Sequence, residues 1–239
     1  MRPNEVKYKN QYILYDEDLL REVDTDLFDP AVLNKRHLLT GQARGRGTTH
    51  FFTYNGEEYV LRHYRRGGLI ANLLQDRYLW TGLSRTRAWR EWHLLAKMVT
   101  LGLPAPHPVA AQVHRLGRFY TADIIMHRLT NTQTLTEHLT RKPLPDITWR
   151  SIGKCIRRFH DAGIYHADLN ANNILLGEEN HVYLTDFDRG RIRHQSRIWQ
   201  KNNLKRLHRS LTKLHSLHQL FHFSEREWQT LCAAYYSYT

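Results

Sequence analysis

From Arg36 to Ala96 the chain contains no lysine. Chemistry that needs a cation in that stretch must use arginine or histidine, and arginine's planar fork does not act as lysine's point charge does. Cysteine is also scarce. Cys155 and Cys232 are the two present, they form no CxxC pair, and their apolar-facing helical positions fit reduced core residues rather than a disulfide framework. No apolar run reaches the roughly 18 to 20 residues of a membrane-spanning helix, and none follows MRPNEVKYKN. A cytoplasmic chain is therefore expected. Acidic residues are outnumbered 23 to 35, which leaves a formal charge of +12 and favours an anionic partner: nucleic acid, an anionic membrane surface or a phosphorylated substrate. Charge alone does not choose among them.

What is present is concentrated in YHADLNANNIL, residues 165 to 175, and in HVYLTDFD, which ends at Asp188. Asp168 stands two places after His166, Asn173 five places after Asp168, and Asp186 thirteen places beyond that. This is the spacing of the catalytic and metal-binding loops of a phosphotransferase. Asp168 would accept the proton of an attacking hydroxyl; Asn173 and Asp186 would supply hard oxygen ligands to Mg²⁺. The neighbouring ILL and VYL runs predict two short strands holding both ligands. The plainer alternative is a polar hairpin loop whose Asp and Asn only make turns.

Residues 1–36 are polar and irregular with marginal strand character, and read as an N-terminal extension. HFFTY and EEYVLRHY follow as β-rich runs joined by Asn55-Gly56, a strong hairpin signal. Gly45 and Gly47 then fall in a turn where backbone amides can approach phosphate, although a lone GxG also suits an ordinary hairpin. RRGGLIANLLQDRYLWTGLSRT mixes arginines and aromatics, which fits an anionic sugar or membrane contact as well as a flap packed on the sheet. A helix is expected from Ser84 to about Thr100 with Ala88, Trp92, Leu95 and Val99 on one face and Glu91 at its edge, ended by Gly102. PVAAQV and RFYTADIIM read as strands. Residues 146–160 form an amphipathic helix burying Trp149, Ile152, Ile156 and Phe159, ended by Gly163.

After Asp188 the sequence predicts one helix over about 196–221 and a last helix opened by a Ser224/Glu227 capping box, with Trp228, Leu231, Cys232, Tyr235 and Tyr236 on its apolar face. The 196–221 segment places Leu204, Leu207, Leu211, Leu214 and Phe221 on one side and Lys201, Lys205, Arg206, Arg209 and Lys213 opposite. That basic side reads as a solvated face or as a membrane-surface helix. His208, His215, His218 and His222 lack the cysteines or carboxylates that would complete a metal site.

The motif segment resembles the protein-kinase-like superfamily, with HADLNANN in place of HRDLKxxN and DFD in place of DFG. The resemblance implies an α+β, bilobal fold: a small antiparallel-sheet N-lobe with one helix over 37–127 and a reduced, mainly helical C-lobe over 128–239. It implies a nucleotide-covering loop at Gly45 and Gly47, and a phosphate-gripping cation at Arg62, where YVLR occupies the position of the usual lysine. Glu91 would orient Arg62, and MHRL would form the hinge. A solvated Arg62 and a Glu91 paired locally with Arg87 or Arg90 are the alternatives. ARGRGTTHFF, YVLRHYRRGGLIANL, YLTDFDRGRIR and WQKNNLKRLHRSLTKL narrow the resemblance to the 3-deoxy-D-manno-octulosonic acid (Kdo) kinases, related to lipopolysaccharide core heptose kinases. This implies ATP- and Mg²⁺-dependent phosphorylation of the Kdo 4-hydroxyl on a lipid A precursor, met at the cytoplasmic face of the inner membrane by a peripheral protein. No nucleic acid is expected. The long activation segment and APE anchor of peptide kinases are missing, so no protein substrate is expected either. An antibiotic phosphotransferase, a heptose kinase and a non-catalytic basic binding protein are the competing readings; the +12 charge disfavours the first. Asp188 is left open between metal ligand and cap for Arg189.

Overall fold

Two short runs open the chain as β1 (Pro3–Tyr8) and β2 (Gln11–Asp16), antiparallel with Val6 opposite Ile13. Residues 1–36 are thus not irregular: Ile13, Leu14 and Tyr15 are buried, and a 3-10 turn at Thr25–Phe28 leads into α1 (Pro30–Lys35). Pro30 sits in the first turn of α1, and Asp29 caps it by accepting from the Ala31 N–H at 2.8 Å. Leu27, Phe28 and Leu33 join Phe52, Tyr59 and Leu61 in one apolar cluster. These strands have only marginal character in the sequence because each is six residues long and β1 carries Glu5 and Lys7 among its few apolar residues. The computed structural model describes residues 1–44, 48–65 and 76–238.

β3 (Leu39–Arg44), β4 (Thr48–Tyr54) and β5 (Glu57–His63) form an antiparallel meander. Asn55 and Gly56 take φ of 51° and 83°, the paired left-handed residues of a type I′ turn, as the sequence predicts. β6 (Tyr78–Leu79) precedes α2 (Arg87–Thr100), which starts three residues later than expected because Leu83–Arg85 forms a 3-10 turn. Gly102 (φ 64°) ends α2, and the Leu103 N–H reaches back to the Met98 carbonyl at 3.0 Å. β7 (Pro108–Leu116) and β8 (Phe119–His127) complete a sheet ordered β1-β2-β7-β8-β5-β4-β3, with β6 on β8.

The remaining elements are β9 (Gln133–Thr134), α3 (Leu135–Leu139), α4 (Asp146–Asp161), β10 (Ile164–Tyr165), β11 (Ile174–Leu176), β12 (Val182–Leu184), β13 (Arg191–Ile192), α5 (Arg197–Leu217) and α6 (Glu225–Ser237). Trp149, Ile152, Ile156 and Phe159 of α4 are fully buried, as their spacing predicts. Gly153 lets α6 approach α4: a Cβ there would collide with the Leu231 carbonyl. The fold is therefore mixed α+β. It divides into two compact units, Met1–Ala96 with His107–Arg128 and Lys97–Pro106 with Leu129–Thr239.

Two helical expectations change. α5 stops at Leu217, so Phe221 is buried from the following loop, and Leu214 is only half-buried. The α6 capping box between Ser224 and Glu227 forms, but Tyr236 is exposed while Ala234 faces inward. Cys155 and Cys232 are free thiols, and burial pushes them up to about 12 and about 11.

Candidate active site

In the first unit, β5 directs Arg62 toward α2, where its Nη2 donates to Glu91 Oε2 at 2.5 Å. Glu91 is only 2% exposed, so it lies within the helix's buried face rather than at its edge. A carboxylate this buried needs donors. The Tyr64 hydroxyl supplies a second on the same oxygen at 2.6 Å, and burial holds that phenol well above its ordinary range. Arg62 also lies over the Tyr64 ring, 5.1 Å from its centroid. Tyr64 was not singled out from sequence; its position two residues after Arg62, on the same side of the strand run, was the signal. Arg62 and Glu91 are paired, while Gly45 and Gly47 lie outside the described residues.

In the second unit, β11 and β12 pair antiparallel with Ile174 opposite Leu184, so Asn173, just before β11, and Asp186, just after β12, lie off the same end of the pair. The Thr185 N–H donates to the Asn173 carbonyl at 3.0 Å and ties the two segments together there. Asp186 is exposed and has φ of 60°, a left-handed backbone that a non-glycine residue rarely adopts. Such conformations persist where their surroundings over-determine them. Here the flanks are fixed by Thr185 and by buried Phe187, whose ring meets His166 at 4.7 Å.

His166 joins the two loops. Its Nδ1 accepts from the Asp168 N–H at 3.1 Å, and its Nε2 donates to the Thr185 carbonyl at 2.9 Å. Both bonds require the neutral ring with the proton on Nε2. Burial lowers its basicity and keeps it neutral. Asn170 and Asn173 each donate a side-chain amide to the Asp168 carbonyl, at 3.0 and 2.9 Å. The backbone of Asp168 is thereby held from three sides while its carboxylate stays at the surface, 32% exposed.

Helix α5 packs beside this loop. Asn203 clasps the His166 backbone, accepting from its N–H at 3.3 Å and donating to its carbonyl at 3.0 Å, and Ser210 accepts from the Ala171 N–H at 3.3 Å. Between them Arg206 Nη1 donates to Asp168 Oδ1 at 2.8 Å. Its place in sequence sets Arg206 on the basic side opposite the leucines, a solvated or membrane-surface face; its guanidinium reaches the loop instead. Asn203 was the missed signal, a polar residue on the side that carries Leu207 and Leu211. Lys201, Lys205, Arg209 and Lys213 are exposed.

The donors at Asn173 and Asp186 are one amide oxygen and one carboxylate. That set fits a magnesium ion shared with phosphate oxygens and water better than a closed protein cage. Among the described residues no cluster of three histidine, cysteine or carboxylate groups could hold a metal alone. The tail histidines have other partners: His208 meets Glu225 at 3.2 Å and the Trp228 ring, and His215 bonds the Phe221 carbonyl.

The chain is 38% identical over 231 residues to a 3-deoxy-D-manno-octulosonic acid kinase of Photobacterium profundum, covering 97% of each chain. It is 40% identical to the protein of the same name from Haemophilus influenzae strain 86-028NP, covering 95% of this chain and 97% of the relative. With that of Xanthomonas axonopodis pv. citri it shares 44% identity over 84% of this chain and 80% of the relative. The profile described as Lipopolysaccharide kinase (Kdo/WaaP) family matches residues 31–235, and the chain belongs to that family.

Proposed function

We propose that the chain transfers the γ-phosphate of ATP to the 4-hydroxyl of a Kdo sugar on a lipid A precursor, at the cytoplasmic face of the inner membrane. The observation that carries this reading is the immobilised Asp168: three hydrogen bonds fix its backbone while its carboxylate remains accessible. Relatives named 3-deoxy-D-manno-octulosonic acid kinase along nearly the whole chain support the choice of sugar.

In this mechanism Arg62, held by Glu91, binds the α- and β-phosphates. The unit of Met1–Ala96 with His107–Arg128 serves as the nucleotide lobe and that of Lys97–Pro106 with Leu129–Thr239 as the acceptor lobe. Asn173 and Asp186 would hold Mg²⁺, which would supply charge neutralisation to the phosphates when bound. Asp168 orients the sugar hydroxyl and accepts its proton as the oxygen attacks the γ-phosphorus. ADP departs with the electrons of the broken bond. His166 stays neutral throughout and serves to orient Asp168.

The test is transfer of labelled γ-phosphate to Kdo-lipid, heptose-lipid and aminoglycoside acceptors, followed by location of the phosphate on the sugar. Kdo-lipid labelled at the 4-hydroxyl is the expected product. Asp168→Asn should cut turnover by roughly 10² to 10⁴-fold with little change in nucleotide affinity. Labelling of heptose-lipid or aminoglycoside in place of Kdo-lipid overturns the acceptor assignment.

A further inference from the structure

Phosphoryl transfer concentrates negative charge on the migrating group, and enzymes meet that charge with preorganised cations. Between Arg158 and Arg189 this sequence contains neither lysine nor arginine. The segment holding Asp168, Asn173 and Asp186 thus brings no permanent cation of its own. The fold supplies one from another element: Arg206 of α5, with its Nη1 2.8 Å from Asp168 Oδ1.

The placement is built. Asn203, Arg206 and Ser210 are spaced three and four residues apart, which puts them on one side of the helix. They meet His166, Asp168 and Ala171 in turn. The helix is therefore registered against the loop at both ends of the Arg206 contact, and the guanidinium is delivered to the carboxylate by backbone geometry. Stability does not explain the pair, because Arg206 is 46% and Asp168 32% exposed, and ion pairs that accessible contribute little.

We propose that Arg206 is a catalytic arginine of the transfer step, binding an oxygen of the migrating phosphoryl group. An acceptor oxygen that Asp168 can deprotonate lies within about 3 Å of its carboxylate. The phosphorus it attacks lies about 3 to 3.5 Å beyond in a reactive arrangement. The group in flight therefore passes beside the carboxylate that Arg206 already engages. A guanidinium has five N–H donors, so one can keep Asp168 in place while others turn to phosphate oxygen. In the step, the acceptor O–P bond forms as the bond from the γ-phosphorus to the bridging oxygen breaks. The acceptor proton passes to Asp168, and ADP leaves with the electron pair. Arg206 changes no bond and balances the charge.

This inference rests on the kinase reading, and its test separates the two. Transfer to Kdo-lipid and acceptor-free ATP hydrolysis are measured for wild type, Arg206→Ala and Arg206→Lys, together with the unfolding temperature of each. Arg206→Ala should lower kcat by about 10² to 10³-fold in both reactions, with KM for ATP and for acceptor within about twofold of wild type and unchanged unfolding. Arg206→Lys should recover part of kcat, because charge returns without the fork. A kcat within threefold of wild type, or a loss confined to acceptor KM, overturns the assignment. If wild type hydrolyses ATP but labels no Kdo-lipid, the acceptor reading fails while the role of Arg206 is still decided on the hydrolysis rate.

Discussion

At residue scale, Glu91 and Asp186 show two uses of an acidic side chain. Glu91 is buried, and its Oε2 accepts from both Arg62 and Tyr64. Removing Arg62 leaves the carboxylate with less compensation; a fully buried pair costs about 3 to 5 kcal/mol to break in this way, and less here because Arg62 keeps 19% exposure. Arg62→Ala should therefore lower the unfolding temperature and raise the ATP concentration needed for half-maximal transfer, whereas Arg62→Lys should retain part of both. ATP dependence equal to wild type in the alanine variant would move the phosphate-binding role elsewhere. Asp186 is the opposite case, an exposed carboxylate on a left-handed backbone. Its substitution by alanine removes a proposed ligand without opening a cavity. Asp186→Ala should abolish transfer and shift the Mg²⁺ titration of nucleotide binding. Coincident Mg²⁺ titrations would rule the ligand role out.

At the scale of elements, periodic and turn-coded features were legible and non-local partnerships were not. The Asn55-Gly56 hairpin, the buried face of α4 and the paired strands flanking Asn173 and Asp186 each follow from local rules. A helical wheel also finds the Leu204, Leu207 and Leu211 side of α5, but it cannot tell which element stands opposite a charged residue. Arg206 was misplaced for that reason. Tyr64 was passed over similarly, since its hydroxyl acquires meaning only when α2 brings Glu91 to it. The contact of α4 with α6 gives an element-scale prediction. His160 lies between them, its Nδ1 2.7 Å from the Tyr235 hydroxyl, and burial pushes its pKa down to about 4. Its unfolded value is near 6.5, so the unfolded chain takes up the proton first. Stability present above pH 6.5 should be lost as pH falls toward 4, by roughly 2 kcal/mol at pH 5 from this group. Buried His166 adds with the same sign. In urea unfolding, His160→Gln should lose correspondingly less stability between pH 7 and pH 5; an unchanged difference would show that His160 does not titrate as its burial implies.

At the scale of the whole molecule, a net charge of +12 draws the chain toward anionic surfaces, where the proposed lipid-linked acceptor would be met. Among the described residues no helix is long and apolar enough to cross a membrane. We propose peripheral attraction through α5. With Arg206 turned to Asp168, Lys201, Lys205, Arg209 and Lys213 remain as an exposed row at four-residue spacing, and exposed Ile198 and Leu217 lie near the helix ends. Each basic residue near an anionic surface contributes on the order of 1 kcal/mol, and the attraction decays over a Debye length of about 8 Å at physiological salt. Binding to vesicles containing anionic lipid should therefore weaken steeply as salt rises. Replacing Lys205, Arg209 and Lys213 together by glutamine should remove up to about 3 kcal/mol of that attraction, roughly 10²-fold in vesicle affinity. Activity on the lipid-linked acceptor should fall with it, while acceptor-free ATP hydrolysis changes little because Arg206 and Asp168 are untouched. Vesicle binding equal to wild type in the triple variant would make the row a solvated helix face and leave the arginines and exposed Ile192 of the segment after Asp188 as the next surface to test.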